Sequence, residues 1–377
     1  LLNTPSGLAA LPSGDFLYTC SVTERVRKVT SAGVCTEWST APSSQQKTPT
    51  TLRYRAADAR VYFLSNRAAI RYFVASTPSS STNLLGHASS NTVGDNDATG
   101  GAARINATSF AISVTAALIF IADEGNCKIK TATIAGGVVT TVVGNSAQCY
   151  ATDGVAASAR TAGPTTIYPL NDAVGDYMLF GENELLRKMT ASDYYTVTIA
   201  GTTSNAVSSG APFSVYFGAV FAVVTYPGVA LAENAVVYLA VGANDRLRKY
   251  ERGYVLGLIS STSGHQDGKG PVARWDIPKQ LAISATMPNT LLVVDGSYHV
   301  IRKVALRRTA TVTLSMSLPT LATTTTTAQP TTSVTTTATT TTTTTTISPT
   351  SPATTAAVKT LPRMPSKVCW LASNELA

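Results

Sequence analysis

The sequence has few charged residues. Only 13% of its 377 residues are Asp, Glu, Lys or Arg, about half of the roughly 25% that is usual in soluble domains. Long runs of Ala, Glu, Lys and Leu at helical spacing are missing, and Thr, Ser, Ala and Val are abundant instead. Because β-branched residues favour strands, the composition predicts an all-β fold.

Residues that carry out chemistry are also scarce. The chain has three histidines, His87, His265 and His299, and none of its five cysteines has the CxxC spacing of a zinc site. GxSxG, P-loop and GxGxxG stretches are absent. The sequence therefore predicts no catalytic, cofactor-binding or metal site, and we expect a protein that is not an enzyme.

A formal net charge of +8 is typical of proteins that bind nucleic acid or an anionic surface. The basic residues, however, recur inside short strand-like motifs, without the interleaved aromatics of a nucleic-acid surface, so no nucleic-acid partner is expected. Residues 219–243 form the most apolar stretch, which is long enough to span a membrane. Pro227, Gly228 and Glu233 interrupt it, and its Val and Tyr content predicts a pair of buried strands.

One short motif recurs along the chain: an apolar residue, a basic residue, then Lys or an aromatic and another apolar residue. Six copies lie 44 to 61 residues apart, a spacing typical of one propeller blade with variable loops. We call the central basic residue of each copy the repeat cation. The motifs are RVRKV (25–29), AIRYF (69–73), KIKTA (128–132), LLRKM (185–189), RLRKY (246–250) and VIRKV (300–304), with repeat cations Arg27, Arg71, Lys130, Arg187, Arg248 and Arg302.

Short apolar runs surround each copy. In the sixth unit these are QLAIS (280–284) and TLLVVD (290–295), and in the third unit a further run, TTVVG (140–144), follows the motif. Linkers that contain turn-forming Asp or Gly and close on Ala-Arg precede three units, from Asp97, Asp153 and Asp267. Four short strands per unit predict a six-bladed β-propeller over residues 1–316, with 307–316 as the last outer strand. A seventh blade remains an alternative if the natural chain begins earlier.

These units resemble the NHL repeat, in the Ala-Arg linker, the strand ending in Ala-Asp, the N-x-x-I-R-K-V-like motif and the strand ending at Gly. The third and sixth units match best. The second is degenerate, since Leu64 stands where Asp123 and Asp295 stand in the better units. The long Ser/Thr-rich linkers also resemble those of NHL-like surface proteins of protozoan parasites. The resemblance implies a propeller whose faces are available for binding.

The repeat cations are interpreted as framework. A long side chain between blades can bury its aliphatic stem and keep its charged end at the rim, where an acid or carbonyls satisfy it. The functional alternative is a ring of these cations that binds an anion in the central channel.

Two pairs of cysteines and one sequon are candidates for covalent modification. Cys127 and Cys149 fall at loop ends of one blade and are the predicted disulfide. Cys20 and Cys35 lie on strands too far apart to pair without distortion, and buried thiols are the alternative for all four. Asn106 begins an N-glycosylation sequon, although NHL repeats also use Asn there for structural reasons.

Composition changes abruptly after the repeats. Residues 317–355 are rich in Thr and Pro, with an unbroken threonine run at 339–346, which is typical of an extended, O-glycosylated stalk. A plain linker is the alternative. Residues 356–377 have no assigned structure and show no hydrophobic tail, so a membrane anchor would lie outside this chain. These features predict an extracellular or cell-surface protein.

The predicted function is that of a non-enzymatic interaction head that binds a protein or glycan through rim loops, the longest being 75–103, 145–160, 202–212 and 260–272. Two alternatives stay open. One is a propeller enzyme of the lyase or strictosidine-synthase-like type, which needs His, Asp or Glu side chains converging at one channel mouth. The other is an intracellular NHL scaffold whose Thr tract is a linker.

Overall fold

The computed structural model describes residues 4–87, 92–171, 175–203, 209–225, 236–242, 246–258, 263–284, 286–306 and 371–375. They form six antiparallel sheets, called blades one to six in chain order. The second strand of each blade is mostly apolar and buried on both faces, because each face of a blade packs on a neighbouring blade.

The first three blades contain four strands each. Blade one is β1 (Pro5–Ala10), β2 (Phe16–Cys20), β3 (Arg25–Val29) and β4 (Cys35–Glu37); blade two is β5 (Pro49–Arg55), β6 (Arg60–Ser65), β7 (Ala69–Val74) and β8 (Thr82–Gly86); blade three is β9 (Ser109–Ile112), β10 (Leu118–Asp123), β11 (Lys128–Thr133) and β12 (Val139–Gly144).

Blade four has an additional two-residue strand at its outer edge. Blade four consists of this additional strand, β13 (Gly154–Val155), and of β14 (Pro164–Asn171), β15 (Asp176–Glu182), β16 (Leu185–Thr190) and β17 (Tyr195–Gly201). Blade five consists of β18 (Val220–Thr225), β19 (Val237–Val241), β20 (Arg246–Glu251) and β21 (Tyr254–Gly257). Blade six consists of β22 (Pro278–Ser284), β23 (Met287–Asp295), β24 (Val300–Ala305) and β25 (Leu371–Glu375).

Seven short 3-10 helices lie in the described turns and linkers: Ser43–Gln45, Ala56–Asp58, Gly100–Ala102, Glu124–Asn126, Ala156–Ser158, Pro212–Ser214 and Gly270–Val272. No helix among the described residues has the length and apolar character needed to cross a bilayer. The apolar stretch 219–243 contains β18 and β19, which confirms the predicted pair of strands.

The six blades close into a ring. The innermost strands touch in the order β1, β5, β9, β14, β18 and β22, and β22 in turn touches β1. Six apolar clusters fill the six spaces between blades, and the closing one packs Leu8 and Phe16 of blade one on Leu292 and Ile301 of blade six. The fold is therefore the all-β, six-bladed propeller that the repeat spacing predicts, closed by apolar packing.

Hydrogen bonds also join neighbouring inner strands. The hydroxyl of Thr51 donates to the Thr108 carbonyl at 3.2 Å, and the hydroxyl of Thr165 donates to the Val220 carbonyl at 2.6 Å. Blades one and two approach so closely that a Cβ on Gly7 would lie 1.7 Å from the Thr50 carbonyl oxygen. Threonine hydroxyls thus join neighbouring inner strands by hydrogen bonds, and Gly7 allows two of these strands to approach closely.

The outer strand of blade six differs from the prediction. Residues 307–316, expected in this position, lie outside the described residues. The strand that pairs with β24 is β25, and it runs parallel to β24. A parallel neighbour requires a long connection, and the Thr-rich tract supplies it. Part of the segment 356–377, left without a structure by the sequence, therefore belongs to the propeller sheet.

Candidate functional site

The six repeat cations occupy equivalent positions. Each lies in the third strand of its blade and faces the middle of the second strand, as Arg187 faces Phe180 in blade four and Arg302 faces Val293 in blade six. The strands are β3, β7, β11, β16, β20 and β24. The recurring motif thus marks one structural position, repeated around the ring.

The charged ends of three repeat cations are not at the rim, as the sequence suggested, but inside the protein. The side chains of Lys130, Arg187 and Arg302 are 0% exposed. A buried charge must be paired and hydrogen-bonded, and acids from two other parts of the blade supply the partners. The rim interpretation is therefore wrong for these three positions. Arg71 and Arg248, which are 7% and 1% exposed, are also buried.

In blade three, three carboxylates surround the Lys130 ammonium. Its Nζ lies 2.8 Å from Asp95 Oδ1, 3.0 Å from Asp97 Oδ1 and 3.5 Å from Asp123 Oδ2. Asp97 also accepts hydrogen bonds from the backbone and hydroxyl of Thr141 in the outer strand. Asp95 and Asp97, interpreted from sequence as turn residues, thus tie the linker to the blade.

Blade four repeats this arrangement with an arginine. The Arg187 guanidinium donates to Glu182 Oε1 at 2.7 Å and to Asp153 Oδ1 at 2.9 Å. Two backbone carbonyls, of Arg160 and Thr152, accept further hydrogen bonds at 2.6 and 2.8 Å. Linker, second strand and third strand are joined at one buried charge.

Blade six uses Asp267 and Asp295 in the same places. Arg302 Nη1 donates to Asp267 Oδ1 at 3.0 Å, and its Nε lies 3.0 Å from Asp295 Oδ2 without the alignment of a hydrogen bond. Its guanidinium also stacks over the Trp275 ring, 4.8 Å from the centroid. Three of the six repeat cations are therefore neutralised within their own blade, which favours the framework role over an anion-binding ring.

The other three blades have no acid at the end of the second strand. The register places Cys20, Ser65 and Val241 there, opposite the residues two before the repeat cation. The repeat pattern predicts Leu64 at this position in blade two. That prediction is wrong by one residue, because the register places Ser65 there. In that blade Arg71 donates instead to Ser81, through Nε at 2.9 Å.

The acid in blade four was missed for a related reason. Glu182 precedes its cation by five residues, whereas Asp123 and Asp295 precede theirs by seven. The hairpin between β15 and β16 is shorter, so a spacing of seven residues does not identify Glu182 as the equivalent acid. An acid that ends an apolar strand, in the stretch MLFGEN, was the available signal.

Burial controls the protonation of these inner carboxyls. Burial raises the pKa of Glu182 and of Asp123 in spite of the nearby cations. For Asp295, burial raises the pKa to about 6, and the attraction of Arg302 offsets only part of this. These carboxyls have no solvent to stabilise the charged form.

A pH dependence of stability follows for Asp295. Below about pH 4 the carboxyl is protonated in both the folded and the unfolded chain. Between about pH 4 and 6 the folded protein keeps a proton that the unfolded chain releases, so stability is lost as the pH rises through this window. The wild type should lose up to about 3 kcal/mol relative to Asp295→Asn between these limits. Urea unfolding at pH 4, 5, 6 and 7 measures it, and equal slopes for both proteins would contradict it.

Cys127 and Cys149 form a disulfide, with Cα atoms 5.3 Å apart, as the sequence predicts. Cys20 is buried and is not part of a disulfide. Cys35 belongs to a disulfide whose second sulfur lies outside the described residues. The alternative pairing of Cys20 with Cys35 is therefore wrong.

Asn106 sits at the junction of blades two and three. Its side-chain oxygen accepts a hydrogen bond from Arg67 Nε at 2.8 Å, and its amide nitrogen would lie 2.0 Å from a Cβ on Gly125. Arg67 also pairs with Glu124 at 2.6 Å. These contacts favour the structural role of Asn106 over the glycosylation that its sequon suggests.

A groove of about 550 Å³ opens between blades two and three. At its centre, Asp58 accepts a hydrogen bond from the Tyr62 hydroxyl at 2.7 Å and pairs with Arg55 at 3.0 Å. Arg60 lies over the ring of Tyr72, 4.2 Å from its centroid. The lining residues are Arg55, Asp58, Arg60, Tyr72, Asn83, Leu84, Ala117, Ile134, Ala135 and Gly136.

Sequence reasoning located this groove only in part. Asn83 and Leu84 fall within the predicted recognition loop 75–103, but the charged residues come from the hairpin between β5 and β6. That hairpin reads RYRAADAR, and its density of Arg and Asp was the available signal. In the described part of the chain, no three His, Cys, Asp or Glu side chains form a group that could hold a metal ion.

No protein-family model and no curated protein sequence matches the chain. Solved structures do match in fold. An auxiliary nutrient binding protein from Bacteroides thetaiotaomicron aligns over 80% of this chain and 69% of its own, with 11% identity and a TM-score of 0.59. Its counterpart from Bacteroides ovatus aligns over the same shares with 12% identity and the same TM-score.

A streptogramin B lyase aligns over 82% of this chain and 85% of its own, with 11% identity and a TM-score of 0.46, too low to carry an argument. At these identities the likeness shows the fold alone, and the chain is similar to six-bladed β-propellers.

Proposed function

We propose that this protein is a non-enzymatic recognition head, outside the cell, that binds a protein or glycan partner in the groove between blades two and three. The observation that carries the proposal is the groove itself. It combines a flat aromatic ring, Tyr72, with fixed charges at Arg55, Asp58 and Arg60. Concave sites with an apolar body and a few oriented polar groups are typical of ligand binding.

The groove is preorganised. Asp58 holds Arg55 and accepts from Tyr62, whose pKa burial raises to about 12, so the phenol stays protonated and keeps donating. Arg60 is held over Tyr72 by the attraction between a guanidinium and the face of an aromatic ring. Groups fixed before binding lose little conformational entropy on contact with a partner.

The extracellular placement rests on the cysteines. Cys127 and Cys149 are paired and Cys35 belongs to a second disulfide. Disulfides persist in oxidising compartments and are rare in the cytosol. The stalk predicted for residues 317–355 lies outside the described residues, and its O-glycosylation is part of the proposal.

The proposal is tested with the full chain, secreted from a eukaryotic host, against an oligosaccharide array and a panel of purified secreted proteins. For a ligand that binds the wild type, Arg60→Ala and Tyr72→Ala should each weaken binding about tenfold or more, as central Arg and Tyr contacts do. Tyr254→Ala is the matched control, because Tyr254 is an exposed tyrosine on the outer strand of blade five. Equal losses in the groove variants and the control, or none in either, would refute the groove as the binding site.

A further inference from the structure

One arginine in the central channel differs from all the repeat cations. Arg53 lies on β5, the inner strand of blade two, and is half-buried. Its Nη1 donates to the Leu52 carbonyl at 2.8 Å, and its Nη2 reaches the Ile167 carbonyl of blade four at 3.4 Å. The side chain thus passes blade three and places its guanidinium in the channel.

The equivalent positions of the other blades show why it can reach so far. The residue that follows each repeat cation pairs with a residue of the second strand, which pairs in turn with a residue of the inner strand. That inner-strand residue is the position equivalent to Arg53 in each blade. In blade three, which Arg53 crosses, this residue is the small Ala111. Around the ring the set is Ala9, Arg53, Ala111, Tyr168, Val224 and Ala282. The four apolar members are buried in the clusters between blades, so Arg53 and Tyr168 are the two large polar side chains at this level of the inner strands.

The charge of Arg53 is not neutralised among the described residues, where no acid pairs with it. Its Nε is buried and has no hydrogen-bond partner, and a guanidinium carries five N–H donors. Burial lowers its pKa to about 10, so it remains charged at neutral pH. By contrast, Arg187 has two carboxylates and two carbonyls. A half-buried guanidinium with free N–H groups and no carboxylate partner among the described residues is suited to bind an anion from solution.

A tyrosine lies near this guanidinium. Tyr168 of blade four is at the same level of the channel, and its hydroxyl meets the Thr225 carbonyl of blade five at 3.2 Å. Burial raises the pKa of Tyr168, partly countered by Arg53, so the phenol keeps its proton at neutral pH. The phenol donates its single proton to Thr225, so the free N–H groups of the guanidinium are the donors available to an oxyanion.

We propose that the central channel binds a small oxyanion, a phosphate or a carboxylate group, at Arg53, with the Tyr168 hydroxyl beside it. The site is separate from the groove between blades two and three and does not depend on the function proposed for that groove. It also differs from a ring of repeat cations, because those in blades three, four and six are neutralised by acids.

Calorimetric titration of the full chain with inorganic phosphate and, separately, with acetate at low ionic strength tests the site, since salt screens such contacts. One ion should bind per chain, and Arg53→Met, which keeps the side-chain volume, should weaken binding about tenfold or more. Tighter binding of phosphate assigns the site to phosphate groups, and tighter binding of acetate assigns it to carboxylic acids.

Arg25→Met is the control. It removes the same charge from an arginine that Glu37 already pairs at 3.2 Å, so anion binding should stay within about twofold of the wild type. Thermal unfolding of each variant verifies that the protein titrated is folded. Unchanged affinity in Arg53→Met, equal losses in both variants, or no binding of either ion by the wild type would overturn the proposal.

Discussion

Replacing Glu182 with alanine is expected to lower the free energy of unfolding by about 3–5 kcal/mol, because it leaves the Arg187 guanidinium buried without its inner partner. Asp153, the other acid on Arg187, is 43% exposed, and water weakens its attraction. The two linker carbonyls on Arg187 remain in place, so the loss reports on the Glu182 carboxylate, which pairs with Arg187 and accepts a hydrogen bond from the Ala162 amide. Urea unfolding monitored by intrinsic fluorescence measures it.

Two further variants separate charge from packing. Glu184→Ala removes a half-buried acid two residues along the chain, which has no ion pair with any described residue, and should change the free energy of unfolding by less than about 1 kcal/mol. The double variant Glu182→Leu/Arg187→Met removes both charges and should recover a large part of the loss. If Glu182→Ala unfolds at the same urea concentration as Glu184→Ala, the buried pair does not stabilise this blade.

Cys149→Ser is expected to lower the free energy of unfolding by about 3 kcal/mol. The disulfide closes a loop over a sequence separation of 22 residues and so restricts the unfolded chain. Cys149 is exposed, so a serine is accommodated without a cavity, and the change isolates the effect of the crosslink. Thermal and urea unfolding without reductant provide the measurement.

The control for this variant is Ser146→Ala, a substitution in the same exposed loop that leaves the disulfide intact. It should unfold within about 0.5 kcal/mol of the wild type. A Cys149→Ser protein as stable as Ser146→Ala would mean that the unfolded chain is already restricted by other contacts, and the expected effect would be wrong.

The sequence predicted those parts of the fold that repeat. The spacing of Arg27 to Arg302 reflects one strand position per blade, and each blade must solve the same packing problem. The count of six blades, the closure by apolar packing and the paired strands of residues 219–243 follow from that regularity. Such features need no knowledge of which residues meet across the ring.

What the sequence did not predict depends on register and on distant contacts. A fixed spacing of seven residues before the repeat cation does not find Glu182, because its hairpin is short. For the same reason the spacing predicts Leu64 where the structure has Ser65. The outer acids that pair with Lys130 and Arg302, which are Asp95, Asp97 and Asp267, come from linkers that showed only turn signals. The groove and the channel position of Arg53 exist only once neighbouring blades are brought together.

Because β25 belongs to blade six, the Thr-rich tract connects two strands of the same blade. The chain leaves blade six after Leu306 and returns to the same blade at Leu371. The residues that flank the tract therefore belong to two paired strands of one sheet. One proteolytic cut within it would leave both fragments on the ring, and shedding would require the release of β25 as well.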